Sequence, residues 1–336
     1  MSSLRVSDLA RQLSLQLASS RLKNDTNRLT LELSSGKSTQ QGAFNSRDIS
    51  AVSGLNRSLT LLQSLKSTIG ETGIFLDTQQ SVMDNIQTQA ETATSGFLTA
   101  GSARHPAQLS ALGTDATNRF ESIVAALNTR AADQSVFAGS ATDGPALIAG
   151  ADILSLLRTD IATETGSSAI VTKLTDWFMA PGGGFETLAY QGSVTPPGPF
   201  PLGLGETTAP EANAASDPIR KTLLGFAIAA MIGQAPLANT TDINAELATK
   251  AAETLLSNGA DLSDLRASTG IQQARVEEST TRTASESLTT EQALNTLTSA
   301  DPYRVSTELQ DAMARLEALN TLTARISRLS LTEFLR

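Results

Sequence analysis

Apolar residues fall on a seven-residue step in both outer thirds of this chain, and the step is lost in the middle. Near the start, Leu15, Leu22 and Leu29 recur at that interval, with Ala18, Thr26 and Leu33 between them. Such spacing lays one apolar stripe along a helix and predicts one over roughly Ser3–Ser34. Ser34-Ser35-Gly36 ends it, because glycine takes the left-handed position after a helix without steric cost. The longest run follows, through Leu55, Leu62, Ile69, Leu76, Met83 and Ala90, supported by Leu59, Leu65 and Ile86. It predicts a helix over about Asp48–Thr99, roughly 75 Å long at about 1.5 Å per residue. That is far beyond the mean globular helix of about 11–12 residues. Arg104-His105-Pro106 turns the chain, and Leu109, Leu112, Ala116, Phe120, Ile123 and Leu127 mark a shorter helix on one face.

Between about Gly139 and Ala245 the pattern breaks at Pro181-Gly182-Gly183-Gly184 and again at Pro196-Pro197-Gly198-Pro199-Phe200-Pro201. No helix persists through such residues. Short helices are predicted around Ala151–Thr163 and Ser168–Met179, strands near Phe185–Thr195 and Leu202–Thr207, and a buried helix over Pro218–Ile232. Helical spacing returns near Asn244 with Leu255, Leu262, Thr269, Val276, Thr283, Thr290 and Leu297. Asp301-Pro302 interrupts it. A last helix, about Pro302–Phe334, carries Val305, Leu309, Ala312, Leu316, Leu319, Ile326 and Leu329, mostly three and four apart.

The layout is mirrored: terminal helix, long helix, irregular insert, long helix, terminal helix. It predicts a mainly α fold, a long antiparallel heptad-patterned helical rod built from the N- and C-terminal segments, with a small inserted α+β outer domain. The expected divisions are residues 1–36 with 300–336 for the terminal helices, 37–138 with 245–299 for the rod, and 139–244 for the insert. A buried Leu or Ile contributes about 1.5–3 kcal/mol, but one pair of helices covers only a narrow stripe. The terminal helices are therefore marginal alone and call for neighbours. On this reading Leu15, Leu22, Leu29, Leu33, Val305, Leu309, Leu316, Leu319, Ile326 and Leu329 form a subunit interface, the competing reading being ordinary core.

Composition narrows the function. Only 4% of residues are aromatic, which suits thin helical bundles better than a layered α/β enzyme. The net charge of −9 comes without clustered Lys and Arg, so no nucleic-acid footprint or polybasic membrane patch is expected. Cysteine is absent, which removes disulfides, thiol catalysis and cysteine-bound metal. No run approaches the ~18 apolar residues of a spanning helix, and the N-terminus lacks the apolar core of a cleavable signal peptide. His105, the sole histidine, reads as an exposed turn residue, since a metal site or a triad needs further partners. Gly182–Gly184 lacks the Gly-Lys-Ser/Thr of a phosphate loop and reads as a linker. Glu277-Glu278 reads as a solvated face with Glu278 four residues before Arg282. No catalytic, cofactor or metal site is expected, and no enzyme activity.

Several segments carry a family resemblance. Leu31–Lys37, LELSSGK, is similar to the turn after the first helix in the flagellin superfamily. Leu265–Glu277, LRASTGIQQARVE, resembles the start of its C-terminal long helix. Asp133–Asp143, DQSVFAGSATD, and Tyr190-Gln191-Gly192 resemble the exit from the helical core and the start of the outer domain in hook–filament junction proteins. Leu319–Leu335, LNTLTARISRLSLTEFL, is similar to the ending of that family. The loop after Lys37, Ser38-Thr39-Gln40-Gln41-Gly42, departs from the family's Arg-Ile/Val-Asn run, and Arg336 is an ending shared with many flagellins. The resemblance implies a hook-associated structural subunit, secreted through the flagellar type III export channel without a cleaved signal. It implies a chaperone on the C-terminal region beforehand, then a ring of copies between other hook-associated proteins and flagellin. A filament flagellin, or a helical secretion-system scaffold or translocator, remains the alternative.

Overall fold

The computed structural model describes residues 2–38, 46–234 and 240–334. Along the chain run α1 (Ser2–Ser35), α2 (Ser46–Ala103), α3 (Pro106–Leu127), β1 (Arg130–Ala131), β2 (Gln134–Ser135), α4 (Gly150–Asp160) and α5 (Ser167–Met179). A π-helical turn (Phe185–Ala189), β3 (Phe200–Gly203), β4 (Glu206–Thr208), α6 (Asp217–Ala230), α7 (Thr241–Thr298) and α8 (Pro302–Phe334) complete it. The fold is mainly α, and the two long helices have 58 residues each. Of the loop after Lys37 that departs from the family pattern, Ser38–Gly42, residues 39–42 lie outside the described ones.

Two compact units form, residues 1–63 with 285–336 and residues 64–284. The division falls inside α2 and α7. The insert shares its core with both long helices. Leu147, Ile153, Trp177 and Phe226 share one apolar cluster with Met83, Ile86 and Phe97 of α2 and with Leu255 and Leu262 of α7.

Within residues 64–284 the long helices run antiparallel. Arg104 meets Asp242 at 2.8 Å, Arg266 donates to Asp84 at 2.7 Å and to Gln87 at 2.6 Å, and Gln273 donates to Asp77 at 2.6 Å. The seven-residue step of α2 explains the seam, since Ile69, Leu76 and Met83 are all buried. Helix α6 is buried on nearly every side, as its uniform apolar character predicts. It packs against α3 and edge-on against Phe97 through Phe226, and in the turn just past it the Ile232 carbonyl oxygen would lie 2.2 Å from a side-chain carbon at Gly113. Gln79 clips the insert to α2 by donating to the Val136 and Ala212 carbonyls, both at 2.8 Å.

Residues Phe185–Thr195 are not a strand. Gly184 lies against the Trp177 ring with no room for a side chain, and Phe185 enters a cluster with Trp177, Phe178 and Tyr190, which coils the backbone. The predicted strand near Leu202–Thr207 is one hairpin, β3 with β4. A second hairpin, β1 with β2, is too short to alternate, and it turns through left-handed Ala132 and Asp133 instead of the usual Asn-Gly.

Tyr190 donates its hydroxyl proton to the Ser193 carbonyl at 2.8 Å, and burial pushes its pKa up to about 12 from 10. A raised pKa means that burial is tolerated fully below pH about 10, the unfolded value, and that stability falls as pH rises through the folded value. Residues 64–284 should therefore begin to lose thermal stability above pH about 10, and Tyr190→Phe should flatten that loss. Calorimetric scans from pH 8 to 11 check this; an equal decline in both proteins would rule it out.

Candidate assembly interface

The remaining unit is built on α1 and α8. Gly36 takes the left-handed conformation expected of it, with φ of 66°, and its carbonyl accepts from Ala300 N at 2.9 Å. Ser38 N donates to the Thr298 carbonyl at 2.9 Å, and Lys37 and Ser299 form an antiparallel bridge. Asp301 then caps α8, its carboxylate accepting from Tyr303 N at 2.9 Å, with Pro302 in the first turn where its missing N–H is not needed. These contacts tie the end of α1 to the start of α8, so the two helices pack antiparallel. Glu32, buried near this joint, receives the Arg28 guanidinium at 3.0 Å.

The apolar stripe is only partly covered within the chain. Leu29, Ala300, Val305 and Ala312 are buried in one cluster with Leu309 half-buried against it. Leu15, Leu22, Leu316 and Leu319 are half-buried, while Leu33 and Ile326 are exposed. The side chain of Leu329 lies outside the described ones. Of the ten residues assigned to a subunit interface, Leu29, Val305 and Leu309 thus pack within the single chain, because the antiparallel partner helix reaches them first.

A second apolar surface escaped the sequence reading. Leu13 and Leu17 are 56% and 52% exposed, and Met313 and Leu322 are 50% and 51% exposed. Leu13 and Leu17 stand two residues either side of Leu15, which places them across the helix from the Leu15/Leu22/Leu29 stripe. The available signal was their own i,i+4 spacing, which marks a helix with two apolar faces. Leu322 lines a shallow groove of about 470 Å³ on α8 with Ala314, Glu317, Ala318, Thr321 and Arg325.

The remaining candidates have structural surroundings. His105 is exposed and occupies the N-cap position of α3, its carbonyl accepting from Leu109 N at 3.0 Å. Gly182–Gly184 make the tight turn beneath Trp177, with Gly182 at φ of 71°. Arg282 does not pair with Glu278. It reaches Glu206 on β4 at 2.5 Å, because the β3–β4 hairpin lies against α7 there. Among the described residues no group of three His, Cys, Asp or Glu side chains is placed to hold a metal ion, and no helix is long and apolar enough to cross a membrane.

Compared with protein-family models, the chain matches none, and no curated protein matches it in sequence. Among solved structures it is similar to one from Vibrio parahaemolyticus described as a flagellar hook-associated protein, with a TM-score of 0.50 and 12% identity. The likeness covers 75% of this chain and 98% of that one. At such identity it is a likeness of fold.

Proposed function

We propose that this chain is a structural subunit of the bacterial flagellum, a hook-associated protein that joins hook to filament. The observation that carries the reading is the incomplete cover along α1 and α8. A helix pair that buries Leu29 and Val305 yet leaves Leu13, Leu17, Leu322 and Ile326 in water is suited to packing against further helices. In a ring of identical copies, the α1–α8 pair of each neighbour would supply that cover. The fold likeness to a hook-associated protein and the LSLTEFL ending favour the hook side of the superfamily. Export through the flagellar channel, with a chaperone on the C-terminal region beforehand, is what the resemblance to this superfamily implies. The role is structural and not catalytic.

A strain lacking the chain tests the junction role. Hooks should form, filaments should be absent, and unassembled flagellin should appear in the medium. Electron microscopy with a supernatant blot reads all three. Continued filament growth would reject the junction role, and thousands of copies per isolated flagellum would make the chain a filament subunit instead.

A further inference from the structure

Helix α8 carries a face that α1 does not reach. Val305, Leu309 and Ala312 lie on the side that packs with Leu29. At about 3.6 residues per turn, the residues of the shallow groove lie across the helix from them. These are Ala314, Glu317, Ala318, Thr321, Leu322 and Arg325, and all six are exposed. Ala314 and Ala318 leave the dent, and Leu322 rises beside it at 51% exposure. Glu317 and Arg325 stand at opposite ends, eight residues or about 12 Å apart. Neither side chain makes an ion pair with another described residue.

Thr321 lies midway between these two charges. A two-fold axis through it, reversing the helix, brings Glu317 level with Arg325 and Arg325 level with Glu317. Two copies of α8 laid antiparallel about that axis therefore form two Glu317–Arg325 pairs, one at each end. The same operation sets Leu322 of each copy about 3 Å along the axis from Ala318 of the other, so each leucine enters the opposite dent. Parallel copies in register would set Glu317 against Glu317 and Arg325 against Arg325. A second copy's α1 is the rival occupant, through its exposed Leu13 and Leu17. Its Arg21 answers Glu317, but Leu13, eight residues away, then falls level with Arg325 and leaves that charge unmatched.

We propose that a second copy of this chain covers the groove in the free protein, its α8 antiparallel to this one about Thr321. The face is complementary to itself in both charge and shape. The contact spans only about three turns, so the pairing is weak and reversible. It does not rest on a flagellar role; on that reading it withholds the face from a ring until the copies part.

Because the chain has no cysteine, Thr321→Cys supplies a single thiol at the proposed axis. At about 100 µM under mild oxidation it should give a disulfide-linked dimer about tenfold faster than Ser257→Cys, an exposed site on α7. Sedimentation of the cysteine-free chain should show a monomer–dimer equilibrium. Glu317→Arg alone, or Arg325→Glu alone, sets like charges at both ends and should raise the dissociation constant about tenfold. The two together should restore it. Thermal unfolding should be unchanged in each, as both positions are exposed. A chain that stays monomeric up to about 1 mM would overturn the proposal. So would a double variant that remains apart, or a Thr321→Cys thiol no faster than Ser257→Cys. These readouts need only the purified chain, so they fail or succeed apart from the deletion strain that tests the junction role.

Discussion

Val305→Asp should melt the α1–α8 pair while leaving residues 64–284 folded. Val305 is 0% exposed and packs with Leu29 and Ala312 in a small cluster. The substitution forfeits the burial of an aliphatic side chain and puts a carboxylate where no cation stands in the cluster. Together these cost about 3–5 kcal/mol. A two-helix seam has little stability beyond that, since its cover already fades from Ala312 to Ile326. Amide exchange should show α1 and α8 losing protection, with α3 and α6 unchanged. Trp177, the sole tryptophan and buried in the other unit, should keep its native fluorescence. Intact protection in α1 and α8 would show that the seam does not depend on this cluster. Collapse of both units would show that they do not fold separately.

Leu322→Lys should have the opposite profile on the same helix. Leu322 is 51% exposed, and Leu and Lys have similar helix propensity, so the free chain should change by less than about 0.5 kcal/mol. In an assembly that covers the groove around Ala318 and Leu322, the same ammonium is buried without a partner, at a cost of several kcal/mol. A deletion strain complemented with the variant should therefore grow no filaments, although the protein is made and is as stable as the original. Wild-type filament growth would show that this face is not an interface, and a large fall in monomer melting temperature would show it to be intramolecular core. Leu316 is a poorer site for this test, because it is half-buried and a charge there would weaken both the pair and the assembly.

The seven-residue step of Leu55 through Ala90 specified α2 before any coordinate, since only a helix brings such residues to one face. The final helix was legible to the residue, because Asp301-Pro302 is a cap and a first turn written in the chain. Strand and turn in the insert were not legible in the same way. Phe185 has the composition of a strand residue, yet its ring is claimed by Trp177 and Phe178, at the end of α5, and by Tyr190, just past the π-helical turn. The glycines that permit this resemble a linker until Trp177 is seen to fill the space a side chain would need.

The candidate interface divides along the same line. Sequence alone determined which residues are apolar and how they recur, and hence that α1 and α8 carry stripes needing cover. Periodicity is local and is fixed by the helix itself. Which stretch of stripe the chain covers for itself was decided only in the tertiary structure. The bonds of Gly36 and Ser38 to Ala300 and Thr298 set where α1 and α8 meet, and so bury Leu29 and Val305, while Leu33 beside the joint and Ile326 far from it stay exposed. Which face of each helix meets its partner is what differs, and that pairing exists only once the chain has folded back on itself.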